Sequence, residues 1–167
     1  MLEFVETKKK HIKKLLKIYN YYIENSIATF HKEKIDKKHM RNIVFFDDIL
    51  YKTYTILLDN QIIGYCLMTP FNVREAYKAT VSVAIYLQKE HTNKGYGLDS
   101  LNFLEKKALG LPIRSLTALI CDENEYSKKL FEKCGYKQVG VIEKAGVKFN
   151  RILDVVYYQK ILRPNFL

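Results

Sequence analysis

Residues 80–107 read Thr80-Val-Ser-Val-Ala-Ile-Tyr-Leu87, Gln88-Lys-Glu-His-Thr-Asn-Lys-Gly-Tyr-Gly97 and Leu98-Asp-Ser-Leu-Asn-Phe-Leu-Glu-Lys-Lys107 in succession. This pattern predicts a buried strand, a short polar turn with two glycines, and an amphipathic helix. The first N–H groups of a helix have no intrahelical acceptor and lie at the positive end of its dipole. The turn is therefore either a seat for a phosphate or pyrophosphate, or an ordinary strand-to-helix connection that binds nothing.

The length and composition fit one folded domain. The chain has 167 residues, of which 48% are hydrophobic and evenly spread, so we expect a single globular domain over residues 1–167. No apolar run reaches the roughly 18 residues that cross a bilayer. The N-terminal residues also lack the basic-then-apolar plan of a signal peptide. We therefore predict a cytoplasmic protein without a membrane partner.

The net charge of +10 raises two possible partners, a nucleic acid or a small polyanionic cofactor. The lysines are scattered, except for the run Lys8-Lys9-Lys10 and the pair Lys13-Lys14 on the first predicted helix. Such a run is usually a solvated helix face. We accordingly predict no nucleic-acid partner, and a steep loss of affinity with salt would be the sign of one.

The cysteines suggest neither a metal site nor disulfides. Cys66, Cys121 and Cys134 are widely spaced, their number is odd, and no C-x-x-C pair occurs. Because free cysteine is one of the most buried residue types, we expect three inert, buried thiols and no bound metal.

The spacing of the apolar residues predicts seven strands and four helices. The strands are expected at 2–6, 52–58, 62–68, 79–87, 115–121, 136–142 and 152–161, and the helices at 8–24, 37–46, 96–109 and 125–133. Thr7 and Asp36 are the predicted N-caps of the first two helices. A loop around Gly146 to Arg151 is expected between the last two strands. The order β-α-α-β-β-β-α-β-α-β-β predicts an α/β fold, a mixed sheet with helices on both faces.

This order, with the glycine turn after the fourth strand, resembles the GNAT superfamily of N-acetyltransferases. The chain is most similar to the branch of phosphinothricin and methionine sulfoximine N-acetyltransferases. The segments that carry the resemblance are Ile18-Tyr-Asn-Tyr-Tyr-Ile-Glu-Asn-Ser26, Thr29-Phe30, Ala76-Tyr77, Thr80-Val81, Val83, Ile85-Tyr86-Leu87, Gly95-Tyr-Gly97, Asn124-x-x-Ser127-x-x-Leu130, Phe131-x-x-x-Gly135-Tyr136, Gly146-x-Lys148 and Asp154-Val155. The resemblance implies the GNAT fold and transfer of an acetyl group to an amine.

The resemblance also implies acetyl-CoA as the co-substrate. Amides of the turn would hold its pyrophosphate, and the strand before the turn would pair with the pantetheine amides. The residues implied are Ile85, Tyr86, Leu87, Thr92, Asn93, Lys94, Gly95, Tyr96 and Gly97. Thr92 stands where the family usually has glutamine or arginine, so one side-chain contact is lost and the amides remain. Asn124 is implied as a contact to the CoA arm or as a helix cap, and Ser127 as a residue beside the cofactor or on the plain helix surface.

Direct transfer needs a neutral amine, so a general base, or a water chain that leads to one, must accept a proton. In the branch this base is usually assigned to a glutamate after the Thr-Val pair, and the chain has Ser82 at that place. A serine hydroxyl can orient a water molecule but does not accept a proton at neutral pH. Glu24 is the remaining candidate base, because the branch carries a glutamate there near the acceptor pocket. The alternative is a surface charge at a helix end.

Four further residues are implied in the acceptor pocket, namely Phe30, Arg74, Tyr77 and Phe149. Arg74 could donate two parallel hydrogen bonds to an acceptor carboxylate or phosphinate, and a surface loop arginine is the alternative. Phe30 and Tyr77 line the pocket or pack in the core. Phe149 replaces the histidine that faces the acceptor in the branch.

We therefore predict an acetyl-CoA-dependent N-acetyltransferase that acts by direct transfer on a small primary amine, such as an amino acid or its analogue. Ser82 and Phe149 argue against phosphinothricin itself as the acceptor. Two alternatives stay open: acetylation of a protein or peptide amine, and an acyl-CoA-binding protein with little catalysis. Because members of the family are often dimers, a homodimer is expected.

Overall fold

The computed structural model describes residues 1–163, so the last four residues of the predicted domain, 164–167, lie outside the described range. Within it the predicted order of strands and helices is confirmed. The strands are β1 Leu2–Glu6, β2 Lys52–Leu58, β3 Gln61–Pro70, β4 Thr80–Leu87, β5 Ser115–Cys121, β6 Lys137–Lys148 and β7 Arg151–Ile161. The helices are α1 Ile12–Asn25, α2 Lys37–Val44, α3 Tyr96–Leu109 and α4 Glu125–Lys133.

The strands described here form one seven-stranded sheet in the order β1-β2-β3-β4-β5-β7-β6. Its central pair, β4 and β5, is parallel and connected through α3. The other neighbouring pairs are antiparallel. This is the predicted mixed sheet. Because β4 and β5 run in the same direction, their carboxyl ends lie at the same edge of the sheet, and the turn before α3 follows directly from that edge.

The helices cover both faces of the sheet, as predicted. Along β3, Tyr65 and Leu67 pack in the cluster that contains α1 and α2, whereas Cys66 and Met68 pack in the cluster that contains α3 and α4. Successive side chains of a strand point to opposite faces. The helix pair α1 and α2 therefore lies on one face, and α3 and α4 lie on the other.

The first helix begins differently from the prediction. Thr7 does not cap it, because the Thr7 hydroxyl lies 2.9 Å from the hydroxyl of Thr55 and its N–H donates to the carbonyl oxygen of Thr53. Thr7 therefore extends the pairing of β1 with β2, and a turn of 3-10 helix at Lys9–His11 precedes α1. The predicted cap of α2 is confirmed, since an Asp36 carboxylate oxygen accepts the N–H of His39 at 2.8 Å.

The last hairpin is longer than predicted. In place of a loop around Gly146 to Arg151, β6 continues to Lys148, and a two-residue turn of Phe149 and Asn150 joins it to β7. Both turn residues have left-handed φ, 51° and 56°, which is the geometry of tight hairpin turns. The prediction failed because residues 143–146 are polar or small, and they pair with β7 only through a register shift between Ile142 and Gly146.

The three cysteines are free and buried, as predicted, and burial raises the pKa of the Cys66 thiol above its ordinary value. Across residues 1–163, no helix has the length and apolar character of a membrane span. The same residues contain no group of three or more His, Cys, Asp or Glu side chains placed to hold a metal.

Candidate active site

A cleft opens where β4 and β5 diverge. The two strands pair with each other only at residues 80–82 and 115–117. Beyond these pairs both strands continue, to Leu87 and Cys121, and a cleft of about 590 Å³ lies between them. Its walls are residues 83–87 of β4, residues 118–121 of β5, the turn before α3, the start of α4, and a segment that follows α1.

The wall formed by β4 has one side on which no strand pairs with its backbone, although Tyr22 donates to the carbonyl oxygen of Leu87 there. Residues 81–87 pair with β3 on one side, but residues 83–87 have no partner among the described strands on the side of β5. Buried backbone N–H and C=O groups require hydrogen-bond partners. This edge therefore suits an extended ligand that carries amides of its own, and a pantetheine arm has that chemistry. The predicted cofactor residues Ile85, Tyr86 and Leu87 lie on this wall.

The glycine turn closes one end of the cleft. Asn93 and Gly95 have left-handed φ of 59° and 86°, and α3 begins at the next residue, Tyr96. A Cβ atom at Gly95 would meet no atom within 4 Å, so the turn is open on that side. The predicted residues Thr92, Asn93 and Gly97 line the cleft, and Lys94, Gly95 and Tyr96 complete the turn between them.

Gly97 has a packing role in addition to its place in the turn. A Cβ atom added there would lie 3.1 Å from a methyl group of Leu130 on α4. The missing side chain therefore allows the first turn of α3 to approach α4 closely, and this contact fixes the free N–H groups of α3 relative to the cleft.

Asn124 is the N-cap of α4. Its side-chain oxygen accepts the N–H of Ser127 at 3.1 Å, and both residues line the cleft. The amide nitrogen of Asn124 is a separate hydrogen-bond donor. The cap and a contact to the CoA arm are therefore compatible roles.

Two tyrosines of the cleft were not predicted. The Tyr22 hydroxyl donates to the carbonyl oxygen of Leu87 at 2.6 Å, and burial raises the pKa of Tyr22 to about 12. The Tyr126 hydroxyl accepts the N–H of Asn93 at 3.2 Å, so it contacts one amide of the turn. In the sequence, Tyr22 fits the apolar stripe of the first helix. Its role was not predicted because its hydrogen-bond partner, Leu87, is 65 positions away and produces no local sequence pattern.

Comparison with known proteins identifies the family. Residues 4–157 match the family described as acetyltransferase (GNAT) domain. The chain belongs to the GNAT family. It is 29% identical over 147 residues to the phosphinothricin N-acetyltransferase of Alcaligenes faecalis, with 87% of this chain and 75% of that protein covered. It is 26% identical over 154 residues to the L-methionine sulfoximine/L-methionine sulfone acetyltransferase of Pseudomonas aeruginosa, with 90% and 88% covered.

A solved structure shows the same GNAT fold with its ligand. The phosphinothricin acetyltransferase from Sinorhizobium meliloti in complex with AcCoA matches this chain with a TM-score of 0.90 and 25% identity. The match covers 97% of this chain and 89% of that one. The predicted superfamily, the similarity to the phosphinothricin branch, the fold and the enzyme class are confirmed.

Ser82 lies where the cleft of this GNAT domain begins, and it is not one of the lining residues. Its hydroxyl is 3.1 Å from the hydroxyl of Thr117 on β5, at the last residue pair that joins the two strands. Thr117 in turn donates to the carbonyl oxygen of Val81 at 3.3 Å. Ser82 is therefore held at the apex of the divergence by a hydroxyl network.

Glu24 lies outside the cleft. It is exposed on the last turn of α1 and forms an ion pair with Lys34 at 2.7 Å. Its predicted role as the base has no contact with the cleft to support it.

The four predicted acceptor residues fall in two places, and none of these four lines the cleft. Arg74 and Tyr77 precede β4, at the end of that strand opposite to the glycine turn. Phe30 and Phe149 lie near the last hairpin. The ring of Phe30 packs against Gly146 so closely that a Cβ there would lie 2.4 Å from it, and Phe149 is half exposed in the hairpin turn.

Proposed function

We propose that this GNAT domain transfers the acetyl group of acetyl-CoA directly to the primary amine of a small molecule, an amino acid or an amino-acid analogue. The observation that carries the proposal is the unpaired edge of β4, which runs along the cleft to the glycine turn. The edge supplies hydrogen bonds for amides, and the start of α3 supplies N–H groups for a pyrophosphate. The names of two relatives, which act on phosphinothricin and on methionine sulfoximine, support the class of acceptor.

The chemistry joins the amine nitrogen to the acetyl carbonyl carbon and breaks the bond from that carbon to sulfur. The amine loses one proton, and the thiolate that leaves can gain one. An N–H group of the β4 edge is suited to stabilise the oxyanion of the tetrahedral intermediate. We propose that Ser82 orients a water molecule that takes the proton outward, because a serine hydroxyl held by Thr117 cannot itself act as a base.

An acetyl-CoA consumption assay tests this function. Release of free CoA thiol is measured over a panel of amino acids, methionine sulfoximine, phosphinothricin, polyamines and short peptides. We expect turnover with one or more of the amino acids or their analogues. Ser82→Glu should increase the rate at neutral pH, because it introduces a carboxylate at the apex of the cleft, and Ser82→Ala is the matched control. Turnover with peptides alone would assign the protein to protein or peptide acetylation.

A second candidate function, acyl-CoA binding with little catalysis, is suggested by Ser82. A GNAT domain whose apex carries a hydroxyl in place of a carboxylate can bind an acyl-CoA with little catalysis. Tight binding of acetyl-CoA by calorimetry, together with no thiol release over the whole panel, would favour this candidate and contradict the enzyme proposal.

We also propose that the protein forms a homodimer through β6. This strand lies at one edge of the sheet, and the side chains of Val139, Val141, Ile142 and Val147 on it are each about half exposed. An open strand edge with exposed apolar side chains is suited to pairing with a second chain. Light scattering after size exclusion should give the mass of two chains, and Val141→Glu should give the mass of one. A monomeric parent protein would contradict the proposal.

A further inference from the structure

Lys148, the last residue of β6, carries a buried ammonium group beside the cleft. The residue is 2% exposed. Its Nζ atom donates to the carbonyl oxygens of Thr29 at 2.6 Å, Ser26 at 2.7 Å and Tyr22 at 3.5 Å. An ammonium group has three donors, so each of them has an acceptor.

The charge of Lys148 has no anionic partner. Among the ion pairs of the described residues, none includes Lys148, and its aromatic neighbour, the ring of Phe149, lies 5.0 Å from Nζ. Burial lowers the pKa of Lys148 below its ordinary value, whereas the three carbonyl oxygens favour the charged form. A side chain that only filled space here would avoid this desolvation cost by being apolar. The role of the ammonium group therefore lies in the three carbonyl oxygens that it binds.

The Lys148 ammonium group binds the segment that forms one wall of the cleft. Tyr22 is on α1, and Ser26 and Thr29 belong to the loop that follows, which we define as residues 26–30 and call the 26–30 loop. Residues 26–28 of this loop line the cleft. The hydrogen bonds from Lys148 to this region cross 119 to 126 positions of sequence, so the local sequence of the loop does not supply them.

A second contact joins the same two segments. The ring of Phe30 lies against Gly146, where a Cβ atom would be 2.4 Å from the ring. Gly146 is two residues before Lys148 on β6. The end of the last hairpin therefore contacts the 26–30 loop at two points. The Lys148 ammonium group binds carbonyl oxygens of the loop, and Gly146, which has no side chain, leaves room for the ring of Phe30.

We infer that Lys148 is a positioning residue that fixes the 26–30 loop as the acceptor side of the cleft, an inference that rests on the proposed function. The pyrophosphate turn and the free edge of β4 belong to other elements and receive no hydrogen bond from Lys148. Loss of the ammonium group should therefore loosen the acceptor wall and leave the acetyl-CoA seat intact.

The test compares Lys148→Met with Lys137→Met, a matched control at an exposed lysine at the start of the same strand. In Lys148→Met we expect the KM for the amine acceptor to rise about tenfold or more, as for the loss of charge-assisted hydrogen bonds, while the Kd for acetyl-CoA stays within about twofold. Gly146→Ala perturbs the same loop by displacing Phe30 and should give the same split. Lys137→Met should change neither value.

Hydrogen exchange separates this inference from the proposed function. In Lys148→Met the amides of the 26–30 loop should lose protection, while those of β4 and α3 keep theirs, whether or not an acceptor has been found. A loop that keeps its protection, an unchanged acceptor KM, or an equal loss of acceptor and acetyl-CoA binding would overturn the inference. If Lys148→Met does not fold, Gly146→Ala alone decides between these outcomes.

Discussion

The two sides of the cleft are built in different ways. The side proposed for acetyl-CoA consists of one strand edge, one turn and one helix start that follow each other within residues 83–97, with the N-terminal turn of α4 beside them. The side proposed for the acceptor is assembled from the end of α1, the 26–30 loop and the last hairpin, which Lys148 joins across more than a hundred positions of sequence. The first side offers mainly backbone groups to a ligand, and the second is shaped by side chains.

This difference has a functional consequence. Backbone hydrogen bonds tolerate many side chains, so a cofactor site of this kind persists while the sequence around it changes. Thr92, for which the resemblance implies glutamine or arginine in the family, lines the cleft, and α3 still begins four residues later at Tyr96. We expect less tolerance on the proposed acceptor side, because a change of side chain there would alter the shape or the charge that an amine meets.

The largest effect is expected from Gly97→Phe on the cofactor side. Its Cβ atom would lie 3.1 Å from Leu130, so a bulky side chain must push α3 away from α4 and displace the turn. The Kd for acetyl-CoA, measured by calorimetry, should rise about 10- to 100-fold, as for overpacking of a well-packed contact. Gly140→Phe is the matched control, because a Cβ there would meet no atom within 4 Å. Unchanged affinity in Gly97→Phe would mean that the pyrophosphate seat lies elsewhere.

The difference between local patterns and contacts between distant segments also explains which features could be predicted from the sequence. The strand, turn and helix at 80–107 were predicted because strand burial, glycine and helix periodicity are local signals, and the observed bounds of α3 agree with them. The Lys148 contacts were missed because they join distant segments. The two strands of the last hairpin were predicted, but its tight turn at Phe149 and Asn150 was not, because the polar residues before the turn hide the end of a strand that pairs through a bulge.

Asn124 has two possible roles, as the N-cap of α4 and as a contact to the CoA arm. Substitutions can separate these roles. Asn124→Ala removes the cap of α4 and should lower the free energy of unfolding by about 1 kcal/mol. Asn124→Asp keeps the cap oxygen but lacks the amide donor. Urea unfolding should therefore show recovery in Asn124→Asp, while the KM for acetyl-CoA stays raised in both variants. Full recovery of both properties would leave Asn124 with the cap role only.

Tyr22 connects the two sides, since it reaches from α1 to the carbonyl oxygen of Leu87 on β4. Tyr22→Phe should lower the free energy of unfolding by about 0.5–1 kcal/mol at neutral pH, the value of one hydrogen bond. Burial raises the pKa of Tyr22 from 10.0 to about 12, so its contribution is fully present below pH 10 and is lost as the pH rises toward about 12.

Denaturant unfolding over a range of pH measures this contribution. The stability difference between the parent and Tyr22→Phe should be constant from neutral pH to about 10 and should shrink above it. A difference that changes near neutral pH would show that a second group, whose pKa depends on the Tyr22 hydroxyl, titrates there.

The smallest effect is expected from Glu24→Gln, and it tests how far the acceptor side extends along α1. Glu24 is paired with Lys34 on the exposed surface, outside the cleft lining. Exposed ion pairs are worth roughly 0–1 kcal/mol, so stability should change little. The rate of acetyl transfer against pH should also be unchanged, because a carboxylate that does not reach the cleft cannot take the amine proton. Lys34→Gln breaks the same ion pair and keeps the carboxylate, so it is the matched control. If Glu24→Gln alone removes the acidic limb of the pH profile, the end of α1 that carries Glu24 must move on acceptor binding and bring the carboxylate into the site.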